Sequence, residues 1–180
     1  MEIVDTLEAL LFVAGEPATL SNLAQALGLT EGQVEQGLEV LAERLQRGGA
    51  LQLLRIAGGY QLCTKQQFAE QVAQFLKPQR NRLSRSLMEV LAIIAYRQPI
   101  TQAEIDQVRG VQSDYGVRGL LERHLVEEVG RKQTAGRPFM YGTTQQFLHQ
   151  FKLDDLTALP ALSPGLPLLE VQEGGLAQVL

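Results

Sequence analysis

The chain has 180 residues, of which 45% are hydrophobic and 20% are charged, and its formal net charge is −4. This balance is typical of a globular protein that buries a core, and no apolar run reaches the roughly 18 residues of a membrane-spanning helix. A single cysteine, Cys63, excludes an intrachain disulfide and a multi-cysteine metal site, and the acidic N-terminus predicts a cytoplasmic protein without a secretory signal.

The charge is distributed unevenly along the chain. Residues 1–76 carry four basic and nine acidic residues, residues 77–153 carry twelve basic and seven acidic residues, and residues 154–180 carry four acidic and no basic residues. The three parts have net charges of −5, +5 and −4, which indicates different partners. Because affinity for DNA scales with the number of phosphates neutralised, only the middle part is a candidate for contact with nucleic acid.

The first half predicts three helices, a β-hairpin and a fourth helix. Gly28 closes the second helix, and Thr30 and Gln33 have the spacing of a capping box that opens the third. Gly48 and Gly49 end that third helix. Apolar spacing places the helices over 3–14, 20–27, 31–47 and 66–77, and the strands, joined by Ala57-Gly58-Gly59, over 51–56 and 60–64.

The second half repeats this order. Ser84 or Ser86 caps a helix that is apolar nearly all round and is therefore expected to be deeply buried. Thr101 opens a short helix closed by Gly110, and Ser113 is expected to cap the next helix. Two strands are predicted over 126–130 and 139–143, with a basic loop over 131–138 between them and a last helix over 144–151.

The two halves align with an offset of about 81–83 residues. The matching pairs are Ala14 with Ala95, Pro17 with Pro99, Leu23 with Ile105, and Gly28 with Gly110. A helix, a helix–turn–helix and a hairpin, present twice, predict a mainly α fold with small β-hairpin wings, an α+β protein of two tandem winged-helix domains. The alternative is one irregular, mostly helical domain.

The domain boundaries follow from this duplication. We expect an N-terminal winged-helix domain over 1–78, a linker without apolar period over 79–83, and a C-terminal winged-helix domain over 84–153. Residues 154–180 are acidic and contain proline and glycine without a periodic apolar stripe, so we expect a flexible tail. The alternative is a short partner-binding turn formed by Leu153, Leu156, Leu159 and Leu162.

The sequence lacks the parts of an enzyme. It contains no glycine-rich nucleotide motif and no His-Glu-x-x-His motif. Cys63 lies in a predicted strand and is expected to be a small buried hydrophobe, and His124 is expected to cap or pack at a helix end. We therefore expect no catalytic residue, no metal and no cofactor.

Binding is the function that remains. The second half carries basic residues on its predicted recognition helix (Arg109, Arg118, Arg123) and on its wing (Arg131, Lys132, Arg137), where they can contact DNA or an acidic protein segment. The corresponding helix of the first half instead carries Glu31, Glu35, Glu39 and Glu43 at four-residue steps. This acidic ridge repels phosphate, so the first half is expected to contact protein.

Several spaced motifs resemble the segregation and condensation protein B family, over about residues 2–160. They are Glu8-Ala9-Leu10-Leu11-Phe12-Val13-Ala14-Gly15-Glu16-Pro17, Leu91-Ala92-Ile93-Ile94-Ala95-Tyr96-Arg97-Gln98-Pro99-Ile100-Thr101, Gly110-Val111-Gln112-Ser113-Asp114, Leu120-Leu121-Glu122-Arg123, Gly130-Arg131-Lys132, Gly136-Arg137-Pro138 and Tyr141-Gly142-Thr143-Thr144. The resemblance implies two winged-helix domains in a bacterial, cytoplasmic, nucleoid-associated protein without enzymatic activity. It also implies a homodimer formed mainly through the N-terminal domain.

The resemblance further implies a condensin accessory subunit that binds the kleisin, segregation and condensation protein A. The kleisin bridges the head domains of the SMC ATPase, which hydrolyses the ATP, and the complex acts in chromosome condensation and partition during cell division. DNA contact by this chain is expected to be weak and without sequence preference. The alternative function is a winged-helix transcriptional regulator that binds DNA with sequence preference and steep salt dependence.

The expected kleisin contacts lie on the recognition helix and wing of the second domain. They are Arg118, Arg123, Arg131, Arg137, Phe139 and Tyr141. Exposed Phe139 and Tyr141 would supply apolar anchor area, while the arginines would pair with acidic residues of the kleisin. The alternative for both aromatic side chains is that they face the core side of the wing strand.

Overall fold

The computed structural model describes residues 3–76 and 83–161, and the chain divides into two compact units, Met1–Asn81 and Arg82–Leu180. Unit 1 contains α1 (Ile3–Ala14), α2 (Leu20–Leu27), α3 (Glu31–Arg47), β1 (Leu51–Ile56), β2 (Gly59–Thr64), a 3-10 turn (Gln66–Phe68) and α4 (Ala69–Leu76). No helix within the described residues is long and apolar enough to cross a membrane.

The core of unit 1 forms where the apolar faces of its first three helices meet. Leu7 and Leu11 of α1 pack with Val34, Leu38 and Leu41 of α3, and all five side chains are buried. Burying a side chain of this size stabilises the fold by about 1.5–3 kcal/mol. These helices therefore support the hairpin, since α3 contacts β1 and α1 contacts β2.

Local capping explains where the helices of unit 1 begin and end. The predicted capping box is present, because Thr30 Oγ1 accepts from the Gln33 amide and Gln33 Oε1 accepts from the Thr30 amide. Thr19 caps α2, which ends at Gly28 with a left-handed φ of 65°. A positive φ is energetically unfavourable for a residue that has a side chain but not for glycine. Gly28 therefore ends the helix at this position.

Unit 2 repeats the architecture. It contains α5 (Arg85–Arg97), β3 (Ile100–Thr101), α6 (Gln102–Arg109), α7 (Asp114–Leu121), β4 (Val126–Arg131), β5 (Phe139–Thr143), α8 (Gln145–Gln150) and a 3-10 turn (Leu156–Ala158). As predicted, α5 is deeply buried, with six consecutive buried residues from Val90 to Ala95. A Cβ on Gly116 would lie 2.8 Å from Val90 Cγ2, so glycine here permits the close contact of α7 with α5.

A short extra backbone pairing flanks the β-hairpin of each unit. In unit 1, Ala18 bridges to Tyr60 of β2, and in unit 2, Ile100 of β3 pairs with Tyr141 of β5. These pairings were not predictable from the sequence, because one or two residues carry no periodicity. Their equivalent positions support the duplication, and the helices with two small antiparallel sheets make this an α+β fold, mainly α, as predicted.

Ser113 does not cap α7, contrary to the prediction. Its side chain makes no capping hydrogen bond and is buried, and its Oγ accepts from Arg109 Nη1 at 3.1 Å and donates to the Val111 carbonyl at 3.3 Å. The hydroxyl is therefore engaged in tying the α6–α7 turn together. Of the two predicted caps of α5, Ser84 and Ser86, Ser84 is the one present, and its Oγ accepts from the Leu87 amide.

The beginning of the expected tail is folded against unit 2. Leu153 is buried, Asp155 caps the 3-10 turn, and the Tyr96 hydroxyl of α5 donates to the Pro160 carbonyl at 2.7 Å. Residues 162–180 and most of the expected linker, residues 79–82, lie outside the described residues. The proposed flexibility of the tail thus concerns residues beyond 161.

Candidate partner-binding site

The wing of unit 2 displays three of the predicted contact residues together. The guanidinium of Arg131 stacks over the Phe139 ring, 3.8 Å from its centroid, and Nη1 of Arg131 donates to the Arg137 carbonyl at 3.3 Å. The Phe139 side chain is 37% exposed, and both arginines are exposed. A planar cation on an aromatic face, held by the hairpin backbone, presents a preorganised surface for a carboxylate or a second aromatic ring.

Helix α7 carries the other two arginines. Arg118 is exposed, and Arg123, just after the helix, is exposed and donates to the Gly119 carbonyl at 2.8 Å. Tyr115 lies three residues before Arg118, on the same side of the helix, and is 82% exposed. Tyr115 was not among the predicted contact residues, because the sequence does not show whether an aromatic residue in a short helix is exposed.

Tyr141 is not an exposed anchor, so this part of the prediction was wrong. Its side chain is only 8% exposed, and burial, with a smaller contribution from Glu128, raises the pKa of its hydroxyl. Phe139 and Tyr141 point to the same face of β5, and helices α5 and α6 pack against this strand. The aromatic face is therefore exposed near the wing tip and buried near the helices.

Two of the six basic residues predicted on the recognition helix and wing are neutralised internally. Arg109 is only 8% exposed at its side chain and pairs with Glu89 at 3.2 Å, and Lys132 pairs with Glu104 at 2.5 Å. The four predicted arginine contacts, in contrast, form no ion pair within residues 83–161 (Arg118, Arg123, Arg131, Arg137). Among the six predicted basic residues, the four on or next to α7 and on the wing are thus free to meet a partner.

Negative charge borders this surface. Glu127 and Glu128 of β4 are exposed, next to the wing arginines in sequence. A phosphate backbone approaching the wing would meet these carboxylates as well as the arginines, which weakens a DNA-binding interpretation. Within the described ranges, no group of three or more histidine, cysteine or acidic side chains is placed to hold a metal ion.

The ion pair between Lys132 and Glu104 gives a pH-dependent prediction. Hydrogen bonds from Lys132 and from Thr101 lower the pKa of Glu104 to about 2. A carboxylate whose pKa is depressed in the folded state stabilises the fold above its unfolded pKa of about 4.3 and loses that contribution as the pH falls toward 2. Replacing Lys132 with methionine should therefore destabilise unit 2 at neutral pH.

The size of this effect is limited by solvent. The two side chains are 42% and 40% exposed, so the expected loss is below ~1 kcal/mol. Urea unfolding at about pH 7 and about pH 2 measures it, and the difference between wild type and K132M should shrink at the lower pH. A difference of equal size at both pH values would contradict the role of Glu104 ionisation.

A family model and a curated relative of this chain carry the same family name. The family model for the segregation and condensation complex subunit ScpB matches residues 5–162. Segregation and condensation protein B of Moorella thermoacetica is 48% identical over 159 residues, covering 87% of this chain and 80% of that protein.

Two solved structures also match. ScpB from Mycobacterium tuberculosis is 36% identical, with a TM-score of 0.40, and the match covers 82% of this chain and 92% of that one. A dimer of an ScpB N-terminal domain complexed with an ScpA peptide is 30% identical, with a TM-score of 0.39, over 40% of this chain and 91% of that one. The family-model match and the sequence identity to the Moorella protein decide the assignment: this chain belongs to the segregation and condensation complex subunit ScpB family.

Proposed function

We propose that this protein is a non-enzymatic accessory subunit of a bacterial condensin-like complex. It binds the kleisin, segregation and condensation protein A, and acts with the SMC ATPase in chromosome condensation and partition during cell division, at the nucleoid in the cytoplasm. Family membership supports the complex, and the residues of unit 2 supply a surface for the kleisin. The nucleotide chemistry belongs to the ATPase, which this chain contacts through the kleisin.

The observation that carries the kleisin proposal is the unpaired arginine surface of unit 2. Arg118 on α7 and Arg131 and Arg137 on the wing are exposed and form no ion pair within the described part of unit 2. Phe139 adds an apolar centre, whereas Glu127 and Glu128 disfavour a phosphate backbone. Such a surface fits an acidic segment that carries an apolar anchor.

Binding at this surface supplies a mechanism for tuning the ATPase. A flexible segment of kleisin loses conformational freedom when this subunit holds it, so later assembly steps lose less conformational entropy. The subunit would thus favour one arrangement of the kleisin between the ATPase heads. This role requires binding and no catalysis.

We also propose that the homodimer forms through α1 of unit 1. Ala9, Phe12 and Val13 share one face of α1, and Phe12 and Val13 are 75% and 82% exposed. The two carboxylates of α1, Asp5 and Glu8, are both paired with Arg44 of α3, which neutralises their charge. A neutral apolar face on an otherwise acidic unit suits a second copy of itself, because a two-fold axis brings like surfaces together.

Replacing Phe12 with aspartate should therefore make the protein monomeric. The carboxylate would be buried without a partner at the contact between two copies, which we expect to weaken dimerisation at least about 100-fold. Light scattering on a sizing column measures the mass. Phe75→Asp on α4, where the side chain is 85% exposed, is the matched control and should leave a dimer.

The proposed function is tested by light scattering of the full chain alone and with the kleisin's middle segment. We expect a dimer whose mass rises on mixing. A dimer that ignores the kleisin would overturn the proposal. Binding to DNA with sequence preference and a steep salt dependence would then favour the transcriptional regulator instead, whereas weak binding without preference agrees with the condensin role.

A further inference from the structure

Strand β1 has an open edge in unit 1. It pairs with β2 on one side, and within residues 3–76 no strand lies on its other side. Tyr60 of β2 exchanges both of its backbone hydrogen bonds with Ala18, at 2.8 and 2.9 Å, so its peptide groups point away from β1. Tyr60 lies opposite Arg55, and alternation along an antiparallel ladder then turns the backbone N–H and C=O of Leu51 and Leu53 toward the open edge.

This edge lacks the devices that protect the corresponding edge of unit 2. Strand β4 is also an outer strand, but it is broken by a bulge between Glu128 and Gly130 and carries exposed carboxylates. Strand β1 keeps a regular register over all six residues, and its sequence contains one charged residue, Arg55. A regular, nearly neutral edge is a template for pairing with another extended chain.

A groove of about 460 Å³ runs beside this strand. Gln52, Leu53 and Leu54 of β1 line it, and since successive residues point to opposite faces of the sheet, the groove follows the edge of the strand. Ala42 and Gln46 of α3 form its other wall, and Lys65 and Gln67, which follow β2, also line it. The volume is in the range of protein ligand pockets.

The acidic ridge of α3 (Glu31, Glu35, Glu39 and Glu43) lies next to this groove. Glu39 precedes Ala42 by three residues and therefore lies on the same side of the helix, and it is exposed without an ion pair within the described part of unit 1. A second copy of unit 1 would bring the same carboxylates together across the groove. Lys65, whose Nζ donates to the Gly48 carbonyl at 3.2 Å, adds a positive charge to the groove. A basic side chain of an added segment is therefore favoured next to Glu39 rather than along the whole groove.

We propose that an extended, basic segment of the kleisin adds as a strand to the open edge of β1. Its backbone pairs with Leu51 and Leu53, its alternate side chains enter the groove against Ala42 and Gln46, and its basic residues meet Glu39. This inference rests on the proposed function for the identity of the partner. It gives the acidic ridge a role and makes kleisin binding bipartite, with an acidic segment on unit 2 and a basic one on unit 1.

The test compares the kleisin affinity of full-length variants. Leu53→Pro removes one outward N–H and leaves the β1–β2 hydrogen bonds intact, and we expect about tenfold weaker binding. Glu39→Lys reverses the charge beside the groove, and we expect a similar loss together with a weaker dependence of affinity on salt. Glu31→Lys, 11 residues from Ala42 at the start of the same helix, is the matched control and should bind within about twofold of wild type.

Hydrogen exchange provides a measurement on the wild-type protein, which decides the matter even if Leu53→Pro unfolds. Saturation with full-length kleisin should slow exchange of the Leu51 and Leu53 amides at least about tenfold. Unchanged exchange, or unchanged affinity in both E39K and a folded L53P, would overturn the inference while leaving kleisin binding in place. A wild-type chain that does not bind kleisin would overturn both proposals.

Discussion

Replacing Arg109 with alanine should lower the free energy of unfolding of unit 2 by about 3 kcal/mol. The Arg109 side chain is 8% exposed and donates to Glu89 at 3.2 Å, to Ser86 at 3.1 Å and to Ser113 at 3.1 Å. These partners lie on α5 and at the start of α7, while Arg109 ends α6. One guanidinium thus joins three helices, and its removal leaves Glu89 partly buried with a weaker partner, Arg85 at 3.4 Å.

Urea unfolding followed by circular dichroism measures this loss. Arg109→Lys should recover part of the stability, since a single ammonium keeps the charge but lacks the planar set of donors that reaches three partners. Arg118→Ala is the matched control, because Arg118 is exposed and without an ion pair among residues 83–161, and it should change stability by less than about 0.5 kcal/mol. Equal stabilities of R109A and R118A would contradict the role given to Arg109.

Reversing the charge of both wing arginines, Arg131→Glu with Arg137→Glu, should weaken kleisin binding about 30- to 100-fold. The double variant replaces the cation stacked on Phe139 with a carboxylate and places it near Glu127 and Glu128, so an acidic kleisin segment would meet repulsion. Because the arginine side chains are exposed, the fold should remain intact.

Isothermal titration of kleisin into the double variant measures this effect. Lys152→Glu, a charge reversal at an exposed residue of the same unit outside the wing and α7, should bind kleisin as wild type does. Wild-type affinity in the folded double variant would remove the wing from the proposed contact surface. The reduced affinity should also depend less steeply on salt than that of the wild type, because fewer attractive charges remain.

The local signals in the sequence predicted most of the elements correctly. The capping boxes at Thr30 and Thr101 are both present, and Gly28 and Gly110 end their helices with left-handed φ angles of 65° and 71°. Each of these signals involves residues within four positions of each other, so the chain neighbours alone decide the outcome. The continuous apolar run of α5 likewise predicted a buried helix.

Contacts between residues distant in sequence were not predictable in the same way. Arg109 was grouped with the surface arginines, but Glu89, 20 residues earlier, neutralises it. Ser113 is a residue type that often caps helices and lies at the start of α7, but its hydroxyl accepts a hydrogen bond from Arg109 instead. Composition cannot distinguish a buried, paired arginine from a free one, because the distinction depends on which helices the fold brings together.

The candidate site shows the same division. The basic character of α7 and the wing was evident from the sequence, and Arg131 and Arg137 do lie together there. A period of two places Tyr141 on the same face of β5 as Phe139, but it does not reveal that Tyr141 is buried where α5 and α6 pack against the strand. Tyr115 was overlooked because exposure of an aromatic residue in a short helix is set by its neighbours in space.

By itself, the sequence determined the element order, the helix ends, the duplication and the separation of charge between the two halves. These properties rest on spacing, capping and composition, which act over a few residues or over whole segments. Only the tertiary structure decided which arginines are free, which aromatic side chain is exposed and which strand edge is open. Each of these depends on pairing across tens of residues, such as Ala18 with Tyr60, and such pairing is driven by burial of the shared core rather than by local preference.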